Sequence, residues 1–461
     1  MKLSHFALWA FCLALASLCV GCGDNYRPVA TPIIPASGNP QQQRLVLVLF
    51  QDMSTTCLDG SLPPCKGATS QIDVSGDSNM ANVYVGRSPV HAVLGAEVAV
   101  ANSGDDSVSL FSLLSPGETS TTVATGVDPT FVASGTSGGN YYVTNATCPN
   151  TPNILPGTGC LTVLGSSSTV AATVQVGTSP VAAAVTTDAT KVYVANQGSN
   201  NVSVISTVDN TAVTTPIVVG SRPSYFVADA VTGNMFVLNS GDASISVIDA
   251  FTSTPLTTVS LQQPGGNPTY MTFNSQLQRL YVANPGTGMV SVLDASNTST
   301  GLTWLQNVQV PGGLAAGAVG VTGPPTLTPL ADGSKVYVIS AATTGCNSEV
   351  DEGQVWVINT SNNTVVPASA GGCISVGGTP VAIASSSDSS KVYVAHQADS
   401  TNPDGTTARR GTTIITVANN SALFTNTNTN GTEMRNIDAP SIDPNCTSGC
   451  DLMIPVFLTS Q

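Results

Sequence analysis

Short runs of alternating and continuous apolar residues dominate this chain, and they recur with the same punctuation. Lys191–Ser206 reads Lys-Val-Tyr-Val-Ala-Asn, then Gln-Gly-Ser-Asn, then Asn-Val-Ser-Val-Ile-Ser shared across the turn. Met235–Asp249 and Leu280–Asp294 repeat the phrase. Val, Tyr and Ile favour pleated strands, and the Asn- and Gly-rich break favours a turn. Each phrase therefore predicts two antiparallel strands and a tight connection.

The first strands of these phrases close on Phe50, Asn102, Asn145, Asn196, Asn239, Asn284, Ser340 and His396. Their spacing runs from 43 residues (102 to 145) to 56 (284 to 340), and the short value is the period of a four-stranded propeller blade. A shorter strand precedes each of seven phrases, entered through Pro89, Pro129, Pro180, Pro223, Pro268, Pro325 and Pro380. Gly177-Thr-Ser-Pro180 and Gly220-Ser-Arg-Pro223 show a glycine bend before the proline. A fourth run follows, as in Val170–Val176 and Val213–Val219.

The two ends are incomplete in complementary ways. Leu45–Leu49, Gln71–Val74 and Asn82–Val85 supply three strands without an inner one, and Leu452–Leu458 is a spare apolar strand. Pairing them closes a ring, which leaves only short, protected sheet edges. The expected fold is all-β: a single β-propeller of four-stranded blades, eight by count, closed by N- and C-terminal strands. Seven stays open if one terminal piece is an accessory hairpin. A row of β-sandwiches would not keep one four-part strand order along the chain.

The N-terminus reads as an export signal. Lys2 precedes the apolar run Leu3–Val20. Cys19-Val-Gly-Cys22 resembles a bacterial lipobox, although Cys19 stands where Leu is usual. The resemblance implies a signal peptide over 1–21, lipidation at Cys22, and a tether over 22–43 rich in Pro, Gln and Asn. The propeller domain then spans 44–461. Gly23, in place of Asp, implies the outer membrane, with plain secretion as the alternative; contact with the membrane is expected through the lipid only.

With Cys12, Cys19 and Cys22 set aside, eight of the 11 cysteines remain, and they fall in neighbouring pairs. Cys57 with Cys65, Cys148 with Cys160, Cys346 with Cys373, and Cys446 with Cys450 read as disulfides in an oxidising compartment. Metal binding is the weaker reading, because there is no C-x-x-C and only His91 and His396 follow the signal.

Only 9% of residues are charged, and the net charge is −14. That balance excludes a nucleic-acid partner. No nucleophile elbow, phosphate loop or dinucleotide turn is present, so no catalytic residue, metal or cofactor is assigned.

Tyr142-Val-Thr-Asn145, with Lys191–Asn196, Leu280–Asn284 and Lys391–His396, resembles the YVTN β-propeller repeat of bacterial and archaeal surface and secreted proteins. The resemblance implies the fold and is weak for activity. In that repeat the terminal Asn is expected to bond to turn amides and organise the hairpin. Ser340 and His396 depart from it; His396 reads first as a solvated or hydrogen-bonded substitute, with a channel-edge or loop function as the alternative. The function expected is a cell-envelope binding module whose loops meet an envelope protein, a glycan or a small molecule. A lactonase-like hydrolase using the channel, and a passive surface protein, are the alternatives.

Overall fold

In a computed structural model of the chain, the described residues run from 45 to 460. They exclude 54–56, 58–62, 114–119, 136–138, 150–156, 166–167, 214, 297–301, 344, 347–351, 399, 402–406, 409, 423–435 and 439–452. Cys22 and the segments 1–21 and 22–43 lie outside them, as do Cys446 and Cys450.

Eight antiparallel sheets follow one another as blades. Blade 1 joins the two ends: Met453–Ser460 pairs with Leu45–Asp52, followed by Lys66–Asp73 and Ser78–Arg87. In that seam Leu49 faces Phe457 and Phe50 faces Pro455. The predicted closure is therefore the observed one, and Pro455 is the eighth entry proline. The remaining inner strands are Pro89–Leu94, Val127–Ser134, Pro180–Val185, Pro223–Ala228, Tyr270–Asn274, Leu327–Pro329 and Pro380–Ser385, in blades 2 to 8. Each contacts the inner strands of the next and previous blades, and Pro380–Ser385 contacts Met453–Ser460. The ring is complete.

The second strand of each blade is covered on both faces by its neighbours, which is why its residues are apolar almost without alternation. Lys191–Asn196 and Lys391–His396 are buried after their first residue. Outer strands meet water on one side; Thr254–Ser260 is largely exposed. The outer run expected over Val213–Val219 shrinks to Ile217–Val218, because Pro216 lacks an amide donor for the ladder. In blade 7 the outer position is shared by Thr364–Val365 and Cys373–Gly377, both paired to Glu352–Asn359.

The repeated Lys-Val-Tyr opening of the second strand ties adjacent blades. Lys191 Nζ donates to Ala250 O at 3.1 Å and Tyr193 Oη to the same carbonyl at 3.1 Å. Lys335 and Tyr337 donate to Asn420 Oδ1 at 2.8 and 2.7 Å. Lys391 forms an ion pair with Asp77 at 2.6 Å, and Tyr393 donates to the same carboxylate at 3.2 Å. That last clamp bridges blade 8 to blade 1 across the seam.

Candidate binding face and channel mouth

The Asn that ends each second strand does a different job from the one its sequence suggests. Asn145 Nδ2 donates to Thr162 Oγ1 on the third strand at 3.0 Å, and Asn145 Oδ1 accepts from Gly126 N at 3.0 Å. Asn196 likewise donates to Ser203 Oγ at 2.9 Å and accepts from Gly177 N at 3.1 Å. Asn239 and Asn284 donate to Ser246 and Ser291. The side chain thus fastens the neighbouring strand and, in Asn145 and Asn196, the glycine where the chain enters the blade. The serine of each Val-Ser-Val phrase is its partner. The glycine is required: a Cβ on Gly177 or Gly126 would lie 2.7 Å from the Asn side chain. The residue before the proline then turns left-handed, with φ of 49° at Ser179 and 54° at Arg222.

His396 occupies the Asn position of blade 8, fully buried, with Nδ1 3.2 Å from Ala398 O. Gly377 packs against its ring as Gly177 packs against Asn196. It is a framework residue, and the channel-edge reading is corrected. Ser340 accepts the same place in blade 7, where its hydroxyl donates to Pro311 O at 3.0 Å.

The connections leaving these Asn positions differ sharply in length. In blades 2, 4, 5 and 6 they are the tight turns 103–106, 197–200, 240–243 and 285–288. In blades 1, 3, 7 and 8 they are the inserts 53–65, 148–159, 340–351 and 397–410. All four leave from the same end of the second strand, so their described ends lie on one face. Blades 7, 8 and 1 are consecutive around the ring, so three of the four adjoin. Cys57 is joined to Cys65 within its own insert, and Cys346 is joined to Cys373 of the strand Cys373–Gly377, tying that insert to its blade.

Cys148 and Cys160 are not joined. Both are buried free thiols that hydrogen-bond to each other, and burial is the main cause that pushes both up from the ordinary thiol range. The third expected bond is corrected accordingly. Cys160 pairs with Asn145 in the ladder, not with Cys148, so strand pairing aims it into the blade.

Inside this face the inner strands present one side chain each at the second position after the entry proline, or in blade 7 at the first position after Pro325. Around the ring these are Phe457, His91, Phe131, Ala182, Tyr225, Tyr270, Thr326 and Ala382. Five rings form a continuous chain. His91 stacks on Phe131 at 3.7 Å and tilts against Phe457 at 4.6 Å. Phe131 meets Tyr225 at 6.2 Å across the small Ala182, and Tyr225 meets Tyr270 at 5.1 Å. The Pro-x-aromatic spacing that carries this layer was in the sequence, and the proline analysis passed over it.

His91 is neutral. Burial in this apolar stack lowers its pKa to about 3. The Val132 amide donates to Nδ1 at 3.5 Å, which assigns the ring proton to Nε2. Burial likewise raises Tyr270 to about 12 and Tyr225 well above the ordinary phenol range. The layer holds one imidazole, two phenols and one Thr hydroxyl, with no carboxylate. Among the described residues no group of three His, Cys, Asp or Glu side chains is placed to hold a metal ion.

No family model matches the chain, and no curated protein does. Solved structures do. A Lactobacillus plantarum protein aligns over 91% of this chain and 99% of its own at 15% identity, with a TM-score of 0.52. Apo AztD from Citrobacter koseri aligns over 91% and 98% at 10% identity and 0.55. Dihydro-heme d1 dehydrogenase NirN, solved in complex with DHE, aligns over 88% and 77% at 14% identity and 0.56. At such identities the likeness establishes one thing, that this chain folds as an eight-bladed β-propeller.

Proposed function

We propose that the protein is an exported binding module of the cell envelope, and that its partner meets the insert-bearing face over blades 7, 8 and 1. The observation that carries this reading is that the long connections 340–351, 397–410 and 53–65 leave three consecutive blades from the same end of the second strand. One of them is cross-linked within itself and one to a strand of its blade. A cross-linked loop loses less conformational freedom on binding, so more of its contact energy appears as affinity. The tight turns of blades 2, 4, 5 and 6 show that the fold itself does not require the inserts. The disulfides also fit an oxidising compartment.

In this reading the repeat is of the YVTN type, Cys22 carries the lipid, 22–43 is the tether, and the anchor lies in the outer membrane. The partner is an envelope protein, a glycan or a small molecule. The low charge of the chain favours one recognised through hydroxyl and amide contacts over one recognised through ion pairs.

The test exchanges 397–410 for the turn of blade 4, Gln197-Gly-Ser-Asn200. The wild type and the exchanged protein are then used to capture partners from envelope extract and on a glycan array at physiological salt. Capture by the wild type that is lost on exchange, with an unchanged thermal transition, is the expected result. Equal capture by both, or by neither, overturns the reading.

A further inference from the structure

Between the last strand of blade 6 and the inner strand of blade 7, the chain makes an excursion that the other blades lack. Leu314 bridges to Ser340 and Ala315 N donates to Ile339 O at 3.1 Å, as an inner strand would begin. The strand then resumes only at Thr326, whose carbonyl accepts from Ile339 N at 3.0 Å. The intervening segment crosses the channel mouth. Ala318 and Val321 pack on the core shared by blades 8, 1 and 2, while Gly323 lies on the ring of Tyr225 in blade 5. Pro324 folds back onto Gly317, closing an Ω-like loop. Val319 at its tip is 95% exposed.

This segment is held loosely. Among the described residues, 316–324 holds a single turn at Val319–Gly320 and has no hydrogen bond to the blades. Gly317, Gly320 and Gly323 have φ of 83°, 80° and 59°, which leaves it hinges on both sides of its contacts. Few polar ties and few apolar contacts place a segment at the low end of local stability. Beneath it lies the chain of five rings, with Thr326 Oγ1 fully buried and unpartnered. A buried hydroxyl without a partner is unfavourable, so an occupant that reaches it is favoured there.

We propose that the channel mouth under 316–324 is a binding site for a small, uncharged aromatic molecule, which displaces this segment and stacks on Tyr225 and its neighbours. The site favours rings because offset and edge-to-face packing is what its walls offer. A charged ligand would be desolvated with no counter-charge in the layer. A sugar would bury several hydroxyls against one threonine, two phenols and one imidazole N–H, leaving most unpaired. The site is separate from the insert-bearing loops, and neither reading depends on the other.

Indole serves as the probe, titrated into the full chain by calorimetry and saturation-transfer NMR, with benzoate and glucose as comparators. Indole is expected to bind saturably, with benzoate and glucose at least tenfold weaker. Tyr225→Leu should weaken indole at least tenfold. Val321→Ser, which loosens the segment, should tighten it several-fold, since a ligand that needs the open state gains as that state becomes populated. Tyr270→Leu replaces Tyr225→Leu if the latter does not fold. Absence of indole binding in both wild type and Val321→Ser overturns the proposal. So does equal binding of benzoate, or indole binding that none of these substitutions changes. Partner capture by the exchanged 397–410 protein is read separately and is unaffected by these outcomes.

Discussion

His91 shows how far a single side chain is set by its surroundings. In sequence it is one of only two histidines after the signal, next to a proline and a valine. In the fold it is a neutral flat ring between Phe131 and Phe457. Its folded pKa of about 3 lies below the ordinary 6.5. Between those values the unfolded chain binds a proton that the native protein does not, so stability rises with pH through this window. The contribution is complete above about 6.5 and is lost as pH falls, at up to about 1.4 kcal/mol per pH unit. His91→Phe keeps the stack and removes the titration. Urea unfolding at pH 6.5 and pH 4 should show the variant losing about 2–3 kcal/mol less than the wild type over that span. Identical losses would mean that His91 is not held neutral. Burial is also the main reason that Cys148 and Cys160 stay thiols, with Cys148 adding to the effect at Cys160.

At the scale of the element, the repeated unit is a lock built from four parts. A glycine enters the blade, an Asn closes its second strand, a Ser or Thr answers on the third, and as the fourth part a Lys or Arg paired with a Tyr reaches the next blade. Asn196→Ala should leave Gly177 N and Ser203 Oγ without their partner in a buried site. The expected cost is about 1–3 kcal/mol, read as a lower urea midpoint with an unchanged slope. Asn196→Asp retains the acceptor but not the donor and should cost at least as much, because it places an unpaired carboxylate there. A change below about 0.5 kcal/mol for both would remove the lock from the account of stability. Part of this unit was legible. The strand pair, the turn and the proline entry follow from β-branched runs and from residues with restricted backbones. The Asn's partners were not, because Gly177 and Asn196 meet only after an inner strand folds back between them.

At the scale of the whole molecule, closure is the decisive contact. Met453–Ser460 supplies the inner strand of blade 1, and Val456, Phe457 and Leu458 are buried to within 6% of complete cover. Burial of such side chains is worth about 1.5–3 kcal/mol each, and Phe457 also ends the ring chain that starts at Tyr270. A protein truncated before Met453 should lose several kcal/mol and expose Leu45–Asp52 as an unpaired edge. The measurable signs are a thermal transition lowered by roughly 10 °C or more and new protease sites in 45–87. A peptide spanning 451–461, added in trans, should restore both. A truncated protein with the wild-type transition would refute closure as a source of stability.

What the sequence determined by itself is the propeller: its blade period, its strand order, its entry prolines and the complementarity of its ends. These are carried by short-range patterns, and a pattern repeated eight times outweighs local ambiguity. Two of the cysteine pairs were legible for the same reason, each lying within one blade. Only the tertiary structure decided the rest. It set Cys148 beside Cys160 without a bond, turned His396 into a framework residue, and placed the described ends of four inserts on one face. It also brought Phe457, His91, Phe131, Tyr225 and Tyr270 into one layer and laid 316–324 across them. Those residues come from five blades, and no local pattern records which rings meet at an axis. Closing the ring is what brings them together.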